Sequence, residues 1–113
     1  MADRQRVPVS NVATQQFEPY ISAGVPFGEV HWLRTESGGD GRLFTGLWKH
    51  GCATFDYVFP GDETFQVLEG EVSISIDGQT VNLGLGDIVS FAKGQSSTWT
   101  IKSPLKKFFV ISG

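Results

Sequence analysis

From about Gly28 onward, short apolar runs alternate with breaks that mostly carry glycine. The runs are EVHWLR (29–34), RLFTGLWK (42–49), CATFDYVF (52–59), TFQVLE (64–69), EVSISI (71–76), TVNL (80–83), DIVSF (87–91), STWTIK (97–102) and KFFVI (107–111). They are rich in Val, Ile, Phe, Trp and Thr, side chains that suit a pleated, half-buried surface. No window of helical length keeps an i, i+3, i+4 apolar stripe free of glycine or proline. The pattern predicts an all-β domain of short strands, and such strands must close on themselves or pack as two sheets to hide their edges. A jelly-roll β-barrel is the simplest solution. Residues 1–27 read as an N-terminal arm and lead-in strand, residues 28–113 as one domain, and SGGDG (37–41) as a flexible loop tip.

One hairpin is specified in register. Asp77-Gly78 suits a two-residue type I′ turn. Such a turn pairs Ile76 with Gln79, Ser75 with Thr80, Ile74 with Val81, Ser73 with Asn82 and Val72 with Leu83. The pairs Ile74–Val81 and Val72–Leu83 then share one face, and the polar pairs Ser73–Asn82 and Ser75–Thr80 share the other. A slip of one residue would oppose apolar to polar throughout.

Composition narrows the partners. The chain has 113 residues, 40% hydrophobic and 19% charged, values of a single globular domain. A net charge of −3 argues against nucleic acid, which calls for a basic face. The pair Lys106-Lys107 reads as a solvated strand edge. No segment has the apolar length of a membrane helix, so no membrane partner is expected. The N-terminal MADRQRVPVSNVATQQ lacks an apolar stretch of signal-peptide length, and the single Cys52 makes no internal disulfide. Both fit a cytoplasmic location.

Four motifs in order, GLWKHG (46–51), DETFQVLEGEV (62–72), GLGDIVSFAKG (84–94) and STWTIKSPLKKFFVI (97–111), resemble the cupin superfamily. Within it, the chain is similar to the small single-domain cupins grouped with the (S)-ureidoglycine aminohydrolase cupin domain. The resemblance covers about residues 44–111 and implies the jelly-roll barrel, or double-stranded β-helix. It also implies a homodimer formed through an N-terminal strand and the outer sheet face.

Cupins of this kind hold a metal by histidines and a glutamate, and here the glutamate alone matches clearly. Glu63 and Gly70 satisfy the glutamate–glycine spacing. The histidine slots fall on Asp56 and Val58, or on Tyr57 and Phe59, and the slot of the second motif falls on Ser97. Transition metals are usually held by three or more N, O or S ligands. The metal site therefore reads as lost, and no cofactor is predicted; manganese, zinc or nickel is the alternative.

What remains is a pocket. If Glu63 points inward, alternation sends Phe65 and Val67 the same way. Ser97, Trp99 and Ile101 share a face that the resemblance places inward. The predicted lining is Glu63, Phe65, Ser97 and Trp99, with Asp56 or Tyr57 opposite and Trp48 nearby. An aromatic cup with one acid suits a small polar or amine-bearing metabolite. Burial beside Phe65 and Trp99 would raise the pKa of Glu63 and make it the candidate acid–base residue. His50 reads as solvent-facing, His31 as lining the barrel or an interface, and Cys52 as structural. Three functions follow: a metal-free small-molecule binder, an enzyme resembling ureidoglycine aminohydrolase, or a structural or regulatory dimer with a vestigial pocket.

Overall fold

The computed structural model describes residues 7–35, 37–38 and 41–113. Residues 1–6 of the expected arm and residues 39–40 of the expected loop tip lie outside the described residues. Among the described residues there are nine strands: β1 (Glu18–Ser22), β2 (Val25–Arg34), β3 (Ser37–Gly38), β4 (Gly41–His50), β5 (Ala53–Val58), β6 (Asp62–Ile76), β7 (Gln79–Leu83), β8 (Ile88–Phe91) and β9 (Ser96–Ser112). All pairings are antiparallel, in the order β1-β2-β4-β9-β6-β7, with β3 on β4, β5 on β9 and β8 on β6. The expected all-β jelly-roll barrel is the observed architecture. Within the expected arm and lead-in strand, Glu18–Ser22 forms a hairpin with β2 around Ala23-Gly24, both at positive φ.

The hairpin at Asp77-Gly78 has the register read from the sequence, from Ile76↔Gln79 through Val72↔Leu83. Both turn residues have positive φ, as a type I′ turn requires. Ser73 Oγ donates to Asn82 Oδ1 at 2.6 Å, and Ser75 and Thr80 hydroxyls meet at 3.2 Å on the same outer face.

The apparent strand pairs 64–69 with 71–76, and 97–102 with 107–111, are in fact two continuous strands, β6 and β9. They run side by side from Asp62↔Ser112 to Ser75↔Thr98. Register shifts between Val67 and Val72 put a bulge into β6, so its buried positions change from Glu63, Phe65 and Val67 to Val72, Ile74 and Ile76. Gly70 sits in that bulge at φ +88°, where any Cβ would overlap the Pro104 carbonyl oxygen. The corner thus needs glycine twice over, for its dihedral and for the close approach. On β9 the parity is unbroken, and Ser97, Trp99, Ile101, Leu105, Lys107 and Phe109 are all buried. The core formed this way is dominated by Trp48, Phe59, Phe65, Ile74, Trp99 and Phe109.

Three expectations about the surface are revised. Lys106 and Lys107 do not form a solvated edge; both are buried. Lys106 faces the outside of the barrel, where the arm covers it: its Nζ donates to the Val12 carbonyl and lies 5.9 Å from the Phe17 ring centroid. His50 is half-buried, 5.7 Å from the Phe27 ring and 5.6 Å from Phe55. His31 is on the outer face, where Nδ1 meets the Gln16 carbonyl at 2.8 Å and Nε2 the Ser10 hydroxyl at 2.7 Å, so it clasps the arm rather than lining the barrel.

Candidate functional site

Lys107 points from the middle of β9 into the barrel, toward the start of β6. Its Nζ lies 2.6 Å from Oε2 of Glu63, with Glu63 retaining 1% of its accessible surface and Lys107 5%. The other Glu63 oxygen accepts from the Tyr57 hydroxyl at 3.4 Å. One carboxylate therefore bridges an ammonium and a phenol. No buried side-chain polar atom among the described residues lacks a partner.

Aromatic rings complete the enclosure. Lys107 Nζ sits 4.3 Å from the Phe65 ring centroid, 4.7 Å from Trp99 and 5.1 Å from Trp48. The negative faces of these rings partly replace the water that the ammonium loses on burial. Trp48 is fixed by donating its indole N–H to the Phe27 carbonyl at 3.0 Å. That packing needs Gly28, at φ +71°, because a Cβ there would lie 2.9 Å from Trp48 Nε1. Trp99 Nε1 donates to Ser97 Oγ at 3.0 Å, and that hydroxyl donates in turn to the Tyr57 carbonyl at 2.7 Å. Ser97 is thereby a tie between β9 and β5.

Beside the pair lies a cavity of about 40 Å³, lined by Glu63, Lys107, Tyr57, Tyr20 and the rings of Phe27, Trp32, Trp48, Phe55, Trp99 and Phe109. The half-buried Tyr20, Phe27, Phe55 and Tyr57 form its outer rim, so the β1–β2 hairpin covers the barrel mouth. Phe27 and Trp32 are both part of this wall.

Electrostatics follow from enclosure. Burial pushes the Lys107 ammonium below its ordinary pKa, while the charge of Glu63 and its hydrogen bond work against that shift. Burial, then the negative charge of Glu63, hold the Tyr57 phenol far above its ordinary value, with Tyr20 and the hydrogen bond to Glu63 adding to it. Tyr20 is raised by burial and then by Glu63. The site thus places a phenol and an ammonium on the two oxygens of one carboxylate.

Of the residues read as pocket from sequence, Trp48, Tyr57, Glu63 and Trp99 line the cavity. Phe65 is packed beneath Lys107, and Ser97 is committed to its tie. Asp56 is not in the pocket. Alternation along β5 turns Phe55 and Tyr57 inward and leaves Asp56 outside, accepting from the Thr98 hydroxyl at 2.8 Å. Lys107 is the residue that the sequence reading missed. The odd-numbered Ser97, Trp99, Ile101, Leu105 and Phe109 are buried, and that parity carried across Pro104 reaches Lys107.

The residues at the metal-ligand slots do not suit a transition metal. Glu63 is engaged by Lys107 and Tyr57, the inward slots are Tyr57 on β5 and Phe59 just beyond it, and Ser97 is bonded on both sides. A metal cation would share Glu63 with an ammonium 2.6 Å away. Among the described residues no group of three or more His, Cys, Asp and Glu converges.

A family model for the EutQ-like cupin domain matches residues 37–109. Among solved structures, a DUF861 family protein from Thermotoga maritima is 30% identical over 56% of this chain and 73% of its own, with a TM-score of 0.54. The Clostridium difficile EutQ protein is 25% identical over 72% of this chain and 58% of its own, at a TM-score of 0.62. A protein of unknown function (DUF1255) from Acidithiobacillus ferrooxidans shares the fold at 19% identity and a TM-score of 0.66, over 96% of this chain and 97% of its own. No curated protein matches the chain.

Proposed function

The chain belongs to the EutQ-like cupin family, and from that premise we propose that its barrel is a metal-free binding site for a small polar metabolite. The observation that carries this reading is the Lys107–Glu63 pair, buried where a metal-binding cupin would gather its ligands. A buried pair of this kind costs desolvation that well-packed apolar side chains would avoid. Here it borders a cavity with aromatic walls, the arrangement of a few polar groups in an apolar pocket that fixes a ligand's orientation. Lys107 offers N–H donors, and Glu63 and the tyrosines offer further hydrogen-bonding atoms.

The surroundings of Lys107 favour one ligand class within this reading. The Glu63 carboxylate and the Trp48 and Trp99 faces already hold the Lys107 ammonium, so a cationic amine entering beside them would meet a like charge. A neutral or acidic molecule with an acceptor for Lys107 fits better. A volume of about 40 Å³ holds about three waters, and so a ligand of about three or four non-hydrogen atoms unless the hairpin opens. A ureidoglycine aminohydrolase activity would need a metal that the donor set does not suit, and no observation favours it over binding.

The test pairs elemental analysis with a ligand panel. Protein purified without chelator or added metal should carry less than about a tenth of a metal per chain. Small amides, carboxylates and ketones should raise the melting temperature and change the fluorescence of Trp48 and Trp99, with size-matched amines weaker. Stoichiometric manganese, zinc or nickel, or a panel in which no compound has any effect, would overturn the reading.

A further inference from the structure

We propose that Lys107 captures small aldehydes and ketones as an iminium, making the cavity a covalent carbonyl site. This deepens the pocket reading above and rests on it. An amine that attacks carbonyl carbon must be neutral for part of the time, must be held beside space for its partner, and needs an adjacent group to take and return a proton. The geometry supplies the space and the proton acceptor, and burial favours the neutral amine. Lys107 Nζ borders the cavity, and Glu63 Oε2 is its hydrogen-bond partner at 2.6 Å. Its other donors face the rings of Phe65, Trp99 and Trp48, which do not compete as carboxylates would. Burial lowers its affinity for the proton. Tyr57 holds Glu63 from the other oxygen and stays protonated, so it orients the carboxylate without draining the path.

The step balances without an added reactant. Lys107 passes one proton to Glu63, and the freed lone pair of Nζ attacks the carbonyl carbon. The C–O π pair moves to oxygen, which takes a proton from the attacking nitrogen to give a carbinolamine. Glu63 returns its proton to the hydroxyl as the C–O bond breaks and water leaves, and the nitrogen lone pair completes the C=N bond. One ammonium and one carbonyl become one iminium and one water, with the charge unchanged. Reversal by water releases the carbonyl compound, so capture is a reversible binding mode.

Acetone is a suitable probe, since its four heavy atoms match the cavity and ketones react sluggishly with solvent lysines. Wild-type protein is incubated with acetone and cyanoborohydride, and the isopropyl groups are located by peptide mass spectrometry. Lys107 should be labelled at least about tenfold faster than the exposed Lys93 and Lys102 in the same molecule. K107R should lose the dominant label, and E63Q should slow it. If K107R fails to fold, the competition among lysines within the wild-type chain decides alone. Labelling of Lys93 and Lys102 as fast as Lys107 overturns the proposal. If acetone without reductant still shifts the indole NMR signals of Trp48 and Trp99, the pocket reading survives that result; if no shift and no selective label appear, both fall.

Discussion

Removing one member of the Lys107–Glu63 pair should cost far more than removing both. At 2.6 Å and an effective dielectric of about 20, the gross attraction is about 6 kcal/mol. Several kcal/mol of desolvation per ion offset most of it, because side-chain exposure is 6% for Lys107 and 1% for Glu63. The net worth of the pair is therefore small, while an orphaned partner keeps its whole desolvation cost. Lys107→Met leaves the carboxylate with only the Tyr57 hydroxyl, and Glu63→Leu leaves an ammonium with only rings. Each should destabilise the protein by about 3–5 kcal/mol. The double variant replaces both groups with apolar side chains of similar volume and should fall within about 2 kcal/mol of wild type.

The assay is urea unfolding followed by Trp48 and Trp99 fluorescence. With a slope of about 1–1.5 kcal/mol per molar for a small domain, each single variant should lower the midpoint by about 2–5 M, or fail to fold at all. The double variant should recover most of that loss, giving a coupling energy of about 3 kcal/mol or more. Two single effects below about 1 kcal/mol that simply add would refute the reasoning. The pair would then behave as a solvated one, and its role as the polar anchor of the pocket would fail with it.

The buried tyrosines set an alkaline limit. Tyr57 keeps its proton in the folded state well above the ordinary value of 10.0, so stability from it is complete below pH 10 and falls as pH rises further, by about 1.4 kcal/mol per pH unit. Lys107 acts in the opposite sense, since its lowered folded value makes its contribution rise with pH until the unfolded chain also loses that proton near 10.5. The fall should therefore dominate above about pH 10.5, and Tyr57→Phe should flatten it in denaturation midpoints measured across that range. Gly70→Ala should cost about 3 kcal/mol or more, or give insoluble protein, because both its dihedral and the Pro104 carbonyl oppose a Cβ. Gly78→Ala, with the same sign of φ but open space around it, should cost only about 1 kcal/mol, and thermal unfolding of the two variants separates the causes.

Side-chain parity explains both what the sequence disclosed and what it hid. Along β7 and each straight part of β6, alternation and the Asp77-Gly78 turn are enough to fix which face is buried, whereas on β5 alternation alone leaves Asp56 and Tyr57 as alternatives and the structure turns Tyr57 inward. Gly70 looks like a strand end, yet it is a bulge, and both features ask for the same residue: a left-handed dihedral and a close backbone neighbour. The reading on either side of it was correct because each half has its own parity. Pro104 presents the opposite case. It looks like a break, and β9 nevertheless keeps its inward face from Ser97 through Phe109. Treating the chain as broken there left Lys107 to be judged by residue type, and lysines are almost never fully buried unless paired. Carried across Pro104, the same alternation that identified Trp99 puts Lys107 between Leu105 and Phe109, facing a barrel whose one other inward charge, among the described residues, is Glu63. A cation and an anion on inward-facing positions of neighbouring strands must either pair or unfold the core. That constraint is visible in the sequence once the parity is followed, and it makes the lysine, more than the missing histidines, the residue that defines this barrel's chemistry.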